Sequence, residues 1–229
     1  MKFFRQALLF TFLAHGAAML GMAIFLLPLV PGGGGHGDDL ERMMRVAESP
    51  IAYRLGWLGW QITAVSDLVF ALALFRITKP ATRPRTFAIA TAIFVGLAVL
   101  PDQAAQFLLV TRGFELAREG AKARDATDFI AFESVMFPLT SGWAAVLYTL
   151  AAIAWTMTLR ARGTWSKLLA RVSAPMLLLF SAISLAPIVP LALRPSPELI
   201  GAGNALGFTI LEGWFVALWL VIRKPGSLE

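Results

Sequence analysis

A chain of 229 residues that is 58% hydrophobic and only 15% charged carries too few charges for a soluble domain of its size, where about 25% is usual. Its net charge of +6 sits in short loops beside apolar blocks, which is the positive-inside pattern and requires no nucleic-acid ligand. The absence of cysteine excludes disulfides, thiolate metal sites, iron–sulfur clusters and cysteine nucleophiles.

Apolar runs of about 20 residues are long enough to cross a bilayer as helices, and they recur along the chain. The first, 7–30, follows Lys2 and Arg5. It is too long for a typical signal-peptide core and no clear small-residue cleavage site follows, so it reads as a retained span. Pro28 and Pro31 end it, and Gly32 to Gly35 form a joint. The segment Asp38 to Ala47 (DDLERMMRVA) reads as a short interfacial helix, capped by Asp38 or Asp39, with Met43, Met44 and Val46 toward the membrane. Span 2, 56–75, ends in a basic loop holding Arg76, Lys79, Arg83 and Arg85 and no acid.

Span 3, 86–110, is interrupted at Pro101-Asp102. The loop after it, Arg112 to Asp128, mixes acids and bases in near balance at helical periodicity, which predicts a second short helix. Span 4, 129–159, can bend at Pro138 and Ser141-Gly142. A second acid-free basic loop follows, with Arg160, Arg162, Lys167 and Arg171. Span 5, 172–193, carries Pro175, Pro187 and Pro190, and the turn Arg194 to Glu198 leads to span 6, 199–222, closed by Arg223 and Lys224.

These elements predict an all-α fold, a single domain over 1–229 that is an integral membrane bundle of six transmembrane helices. The terminal charges and both acid-free loops fall on one side and the balanced loops on the other. The expected topology is therefore N-in and C-in, both termini cytoplasmic, with short outer-face helices in the first and third loops. No internal repeat stands out. The stretches GDDLERMMRVAESPIAYRLGW and DLVFALALFRITKP resemble a bacterial six-span family known only as a domain of unknown function, with the match running over 37–94. The resemblance rests on an acidic loop, a short helix, an arginine before span 2 and an aromatic-arginine end leading to Lys-Pro. It implies a fold and a bacterial inner-membrane address, and no catalytic residues.

The informative residues are polar groups in apolar surroundings. Asp67 lies near the middle of span 2, Glu212 near the middle of span 6 and His15 in span 1. Asp102 and Gln106 share a face of span 3. Glu133, Gln61 and Asn204 lie nearer the outer ends of spans 4, 2 and 6. A charge at the bilayer centre costs ~2.5–3.5 kcal/mol on insertion scales, so these side chains are expected to face the bundle interior and to line a polar cavity. Two readings stand. Clustered acids in a low dielectric exchange protons or bind a cation or small molecule; alternatively, the same groups are interhelical hydrogen-bonding glue. The two histidines are too few for a diheme cytochrome. A zinc hydrolase would need about three strong ligands, which His15, Asp67, Asp102 and Glu212 supply only if the spans converge. No lysine lies inside a span, which excludes a retinal Schiff base. No cofactor or catalytic residue is assigned, and the metal question stays open.

Three functions follow. The first is binding or transport of an ion, proton or small molecule through the buried carboxylates. The second is a non-catalytic membrane subunit or regulator of a partner protein. The third is a membrane-embedded lipid-modifying enzyme. The bilayer itself is the expected partner, with a homodimer or partner membrane protein open and no nucleic acid. Among the remaining features, Gly203-x-x-x-Gly207 and Ala17-x-x-x-Gly21 permit close helix contact. Tyr53, Trp57, Trp60 and Trp165 are placed in aromatic belts, and Trp143, Trp155, Trp214 and Trp219 in packing.

Overall fold

The computed structural model describes residues 2–31, 38–186, 189 and 193–223. Gly32 to Gly35, Pro187, Pro190 and Lys224, and the second histidine, His36, lie outside the described residues. The described chain forms α1 (Lys2–Gly21), α2 (Asp39–Glu48), α3 (Pro50–Arg76), α4 (Arg83–Leu108), α5 (Phe114–Ala123), α6 (Thr127–Phe137), α7 (Ala145–Ala161), α8 (Lys167–Leu185) and α9 (Pro197–Ile222). Wide π-type turns extend α1 through Leu26, join α4 to α5 and join α6 to α7. Six of the resulting helices are long and apolar enough to cross a membrane.

Those helices form a closed ring in chain order. α1 packs on α3, α3 on α4, α4 on α7, α7 on α8, α8 on α9, and α9 returns to α1. The apolar coat faces outward: Leu20 is 64% exposed, Leu100 70% and Leu178 73%. Such exposure over a whole exterior suits lipid and not water. Inside, Phe70, Trp155, Trp214 and Phe215 form an aromatic core, with Trp155 and Trp214 stacked at 5.9 Å and Trp214 Nε1 donating to Ser173 Oγ at 2.8 Å.

Small residues set the helix spacing. A side chain at Gly59 would meet Ala18 Cα at 2.9 Å, and Gly21 lies against the Gly56 backbone. The contact therefore runs through Ala18 and Gly21, whereas Ala17 points outward. Gly203 and Gly207 let α9 close on Ile183 and Phe180 of α8. Pro101 lies inside α4 without ending it, and Pro175 does the same in α8.

One end of the ring is tied by arginines. Arg5 Nη2 donates to Ile222 O at 2.9 Å, and Arg85 Nη1 donates to Phe75 O at 2.5 Å. Arg162 Nη1 donates to Ile77 O. These carbonyls lie at the C-terminal ends of α9 and α3, where the helix leaves its last acceptors without intrahelical donors and the dipole favours a cation. At the opposite end α2, α5 and α6 form a cap over a second apolar cluster. Met43 and Val46 are buried in that cluster, so the face of α2 assigned to the membrane faces the protein instead. Tyr53 and Trp57 are also buried there rather than in a belt, while Trp143 and Trp219 are exposed. For Met43, Val46, Tyr53 and Trp57 the cap helices supply apolar cover that a single-span pattern does not reveal.

Candidate functional site

The close approach of α1 and α3 brings His15 and Asp67 together. Thr11 Oγ1 donates to Ala7 O at 3.0 Å and to Ser66 O at 3.1 Å, fastening the two helices one turn away. His15 Nε2 then lies 3.8 Å from Asp67 Oδ1. Both side chains are more than nine-tenths buried, and Asp67 Oδ1 has no hydrogen-bond partner. Phe208 and Phe215 of α9 close over the imidazole, with centroids at 6.1 and 5.6 Å.

Asp102 adds the next carboxylate. Its oxygens accept from Gln106 Nε2 at 2.8 Å and from Tyr148 OH at 3.2 Å, which joins α4 to α7. Asp67 is within Coulombic reach of both Asp102 and Tyr148. Gln106 Oε1 is buried without a partner. The polar line across α1, α3, α4 and α7 thus has two parts, the His15–Asp67 pair and the hydrogen-bonded Asp102–Gln106–Tyr148 group, related by the charge interaction of Asp67 with Asp102 and Tyr148. Tyr148 escaped the sequence reading because an aromatic residue in an apolar span carries no pattern that separates a hydrogen-bonding role from packing.

The other candidates stand apart. Glu133 Oε2 accepts from Arg42 Nη2 at 2.6 Å and Oε1 from Nη1 at 3.0 Å, a buried bidentate pair between α6 and α2. Burial alone would lower the Arg42 pKa, but the Glu133 hydrogen bonds and charge, helped by Asp39, outweigh it and hold the guanidinium above its usual value. Arg42 also lies over the Phe129 ring at 5.3 Å. Nothing in the spacing of residues 42 and 133 announces this pair. Glu212 is half-buried, its Oε1 shielded and without a hydrogen-bond partner. Gln61 and Asn204 are half-buried on α3 and α9.

Two shallow recesses are lined by other residues. One, at the cap, is lined by Leu116, Glu119, Gly120, Ala123, Asp125 and Asp128. The other is apolar, between α1 and α9, lined by Leu8, Leu9, Phe12, Phe215, Val216 and Trp219. Among the described residues no three His, Cys, Asp or Glu side chains gather as a metal site. Comparison with protein-family profiles, with curated proteins and with solved structures finds no match. The class these observations define is a helical protein with six potential membrane spans and a buried polar line.

Proposed function

We propose that this is a multi-pass membrane protein that binds and passes a proton or small cation through its buried carboxylates. One observation carries the reading. Asp67 Oδ1 and Gln106 Oε1 are buried acceptors with no donor, in the same polar line as Asp102. Unpaired acceptors in an apolar interior are costly, and intramembrane acids generally mark ion or proton paths. The acid-free loops support an N-in, C-in orientation, with α2 and α5 on the outer face. A bacterial inner-membrane address belongs to the same proposal, and six apolar helices with acid-free basic loops on one side are what it would require.

Reconstitution into liposomes tests this. With a pH-sensitive dye inside, an imposed cation or pH gradient moves protons through the wild type. Asp67→Asn and Asp102→Asn reduce the rate at least tenfold at equal protein content, and Glu41→Gln, an exposed position, leaves it unchanged. Equal rates in all four proteins overturn the reading.

Glu212 favours a second reading, a membrane subunit for a partner. It stands one turn from Val216, beside the apolar recess between α1 and α9, without a partner of its own. A neighbouring membrane helix offering a hydrogen-bond donor would satisfy it. Loss of a co-purifying membrane protein on Glu212→Gln, with transport unaffected, would establish that role.

A further inference from the structure

His15 deepens the proton-or-cation reading above, on which the following inference rests. His15 Nδ1 lies 2.9 Å from Thr11 O. A carbonyl oxygen only accepts, so Nδ1 carries the hydrogen and donates it. In a neutral imidazole the other nitrogen, Nε2, is then a bare acceptor. It faces Asp67 Oδ1, 3.8 Å away and also without a donor.

Two buried acceptors therefore face each other. The nearby hydroxyls cannot help. Thr11 Oγ1 is committed to Ala7 O and Ser66 O, and Ser66 Oγ to Thr63 O. From α4 the facing titratable group is Asp102, itself an acceptor. From α7 it is Tyr148, whose hydroxyl is spent on Asp102 Oδ2. From α9 the Phe208 and Phe215 rings close over the imidazole; Glu212, one turn from each on that same face, is a further acid, and its Oε1 has no hydrogen-bond partner. The gap is too short for a bridging water, whose two hydrogen bonds of about 2.8 Å would hold the acceptors further apart. A metal ion would need further ligands, and no third His, Asp or Glu gathers here among the described residues.

We infer that His15 Nε2 and Asp67 Oδ1 bind a single exchangeable proton between them. The proton arrives on either atom and leaves the other as its acceptor, giving Oδ1–H to Nε2 or Nε2–H to Oδ1. A side-chain rotation that shortens the separation by about 1 Å completes an ordinary hydrogen bond. The Thr11 contact fixes the ring so that Nε2, and not Nδ1, is the titrating atom.

Nitrogen-15 histidine NMR of the full chain in lipid nanodiscs tests this. The chain has two histidines, so His36→Gln leaves His15 as the only signal. The expected result is an Nδ1 that stays protonated throughout and an Nε2 resonance that moves in one step with pH. That step is identical in sodium and potassium buffers, and Asp67→Asn displaces it by about one pH unit or more. Asp67→Glu, which keeps the acid, restores the step and covers the case in which the asparagine variant folds poorly. An Nε2 step unaltered by Asp67→Asn overturns the shared proton. A shift driven by sodium at constant pH also overturns it, while leaving the cation reading of the site intact. A silent Nε2 under every condition, together with normal transport in the liposome assay, overturns this inference alone.

Discussion

Among single residues, Arg42 has a large electrostatic stake in the fold, because it ties α2 to α6 within the cap through a carboxylate that is 3% exposed. Removing one member of a buried pair strands the other and costs about 3–5 kcal/mol. Arg42→Met and Glu133→Gln should therefore each lower the thermal midpoint in nanodiscs by several degrees, and Arg42→Met with Glu133→Leu should recover most of the loss. Asp125 makes a milder, pH-dependent contribution. Its carboxylate accepts from the Thr127 hydroxyl at 2.7 Å and the Thr127 amide at 2.9 Å, which holds its pKa below the usual carboxylate range. A depressed folded value stabilises above the unfolded pKa and is lost as pH falls through the folded one. Hydrogen exchange at the Thr127 amide should therefore gain opening on acidification, and Asp125→Ala should abolish that dependence. At this scale the sequence made the buried acids visible, because a carboxylate in an apolar run stands out. It hid their partners: Arg42 is one of several mixed charges in a short interfacial helix, and Tyr148 one aromatic in an apolar span.

Helix spacing is the next scale, and glycine decides it between α1 and α3. A methyl at Gly59 meets backbone, Ala18 Cα at 2.9 Å, which cannot swing aside, whereas one at Gly16 meets nothing within 4 Å. Gly59→Ala should destabilise by about 1–3 kcal/mol through overpacking and weaken the His15–Asp67 pairing. Gly16→Ala should be neutral or stabilise by up to about 1 kcal/mol, since it removes a helix-interior glycine. Parallel thermal melts of the two variants check this. The apolar runs announced each long helix, since bilayer-length hydrophobicity is a strong signal. Boundaries were less legible. The chain 167–171, read as loop charge, begins α8, where Ser166 accepts from Leu169 N at 3.2 Å as its cap. The inward face of α2 was not legible either, because an amphipathic helix looks the same whether lipid or α5 covers it.

For the molecule as a whole, closure of the ring matters most: α9 returns to α1, so the first and last helices share the arginine-bound end. That end carries the acid-free loops, and the opposite end carries the capped pair Arg42–Glu133. The proposed orientation follows from this segregation. The cysteine-free chain makes it directly checkable: Lys79→Cys should react with an impermeant thiol reagent only from the cytoplasmic side, and Ala123→Cys only from the outside. The central claim concerns what the ring encloses. Infrared difference spectroscopy of the reconstituted protein across a pH jump reads a carboxylic acid gaining or losing its proton. The account predicts a carboxylic carbonyl band for an acid in apolar surroundings, sensitive to deuterium and lost in Asp67→Asn. A spectrum with no such band, or one identical in wild type and Asp67→Asn, would contradict it.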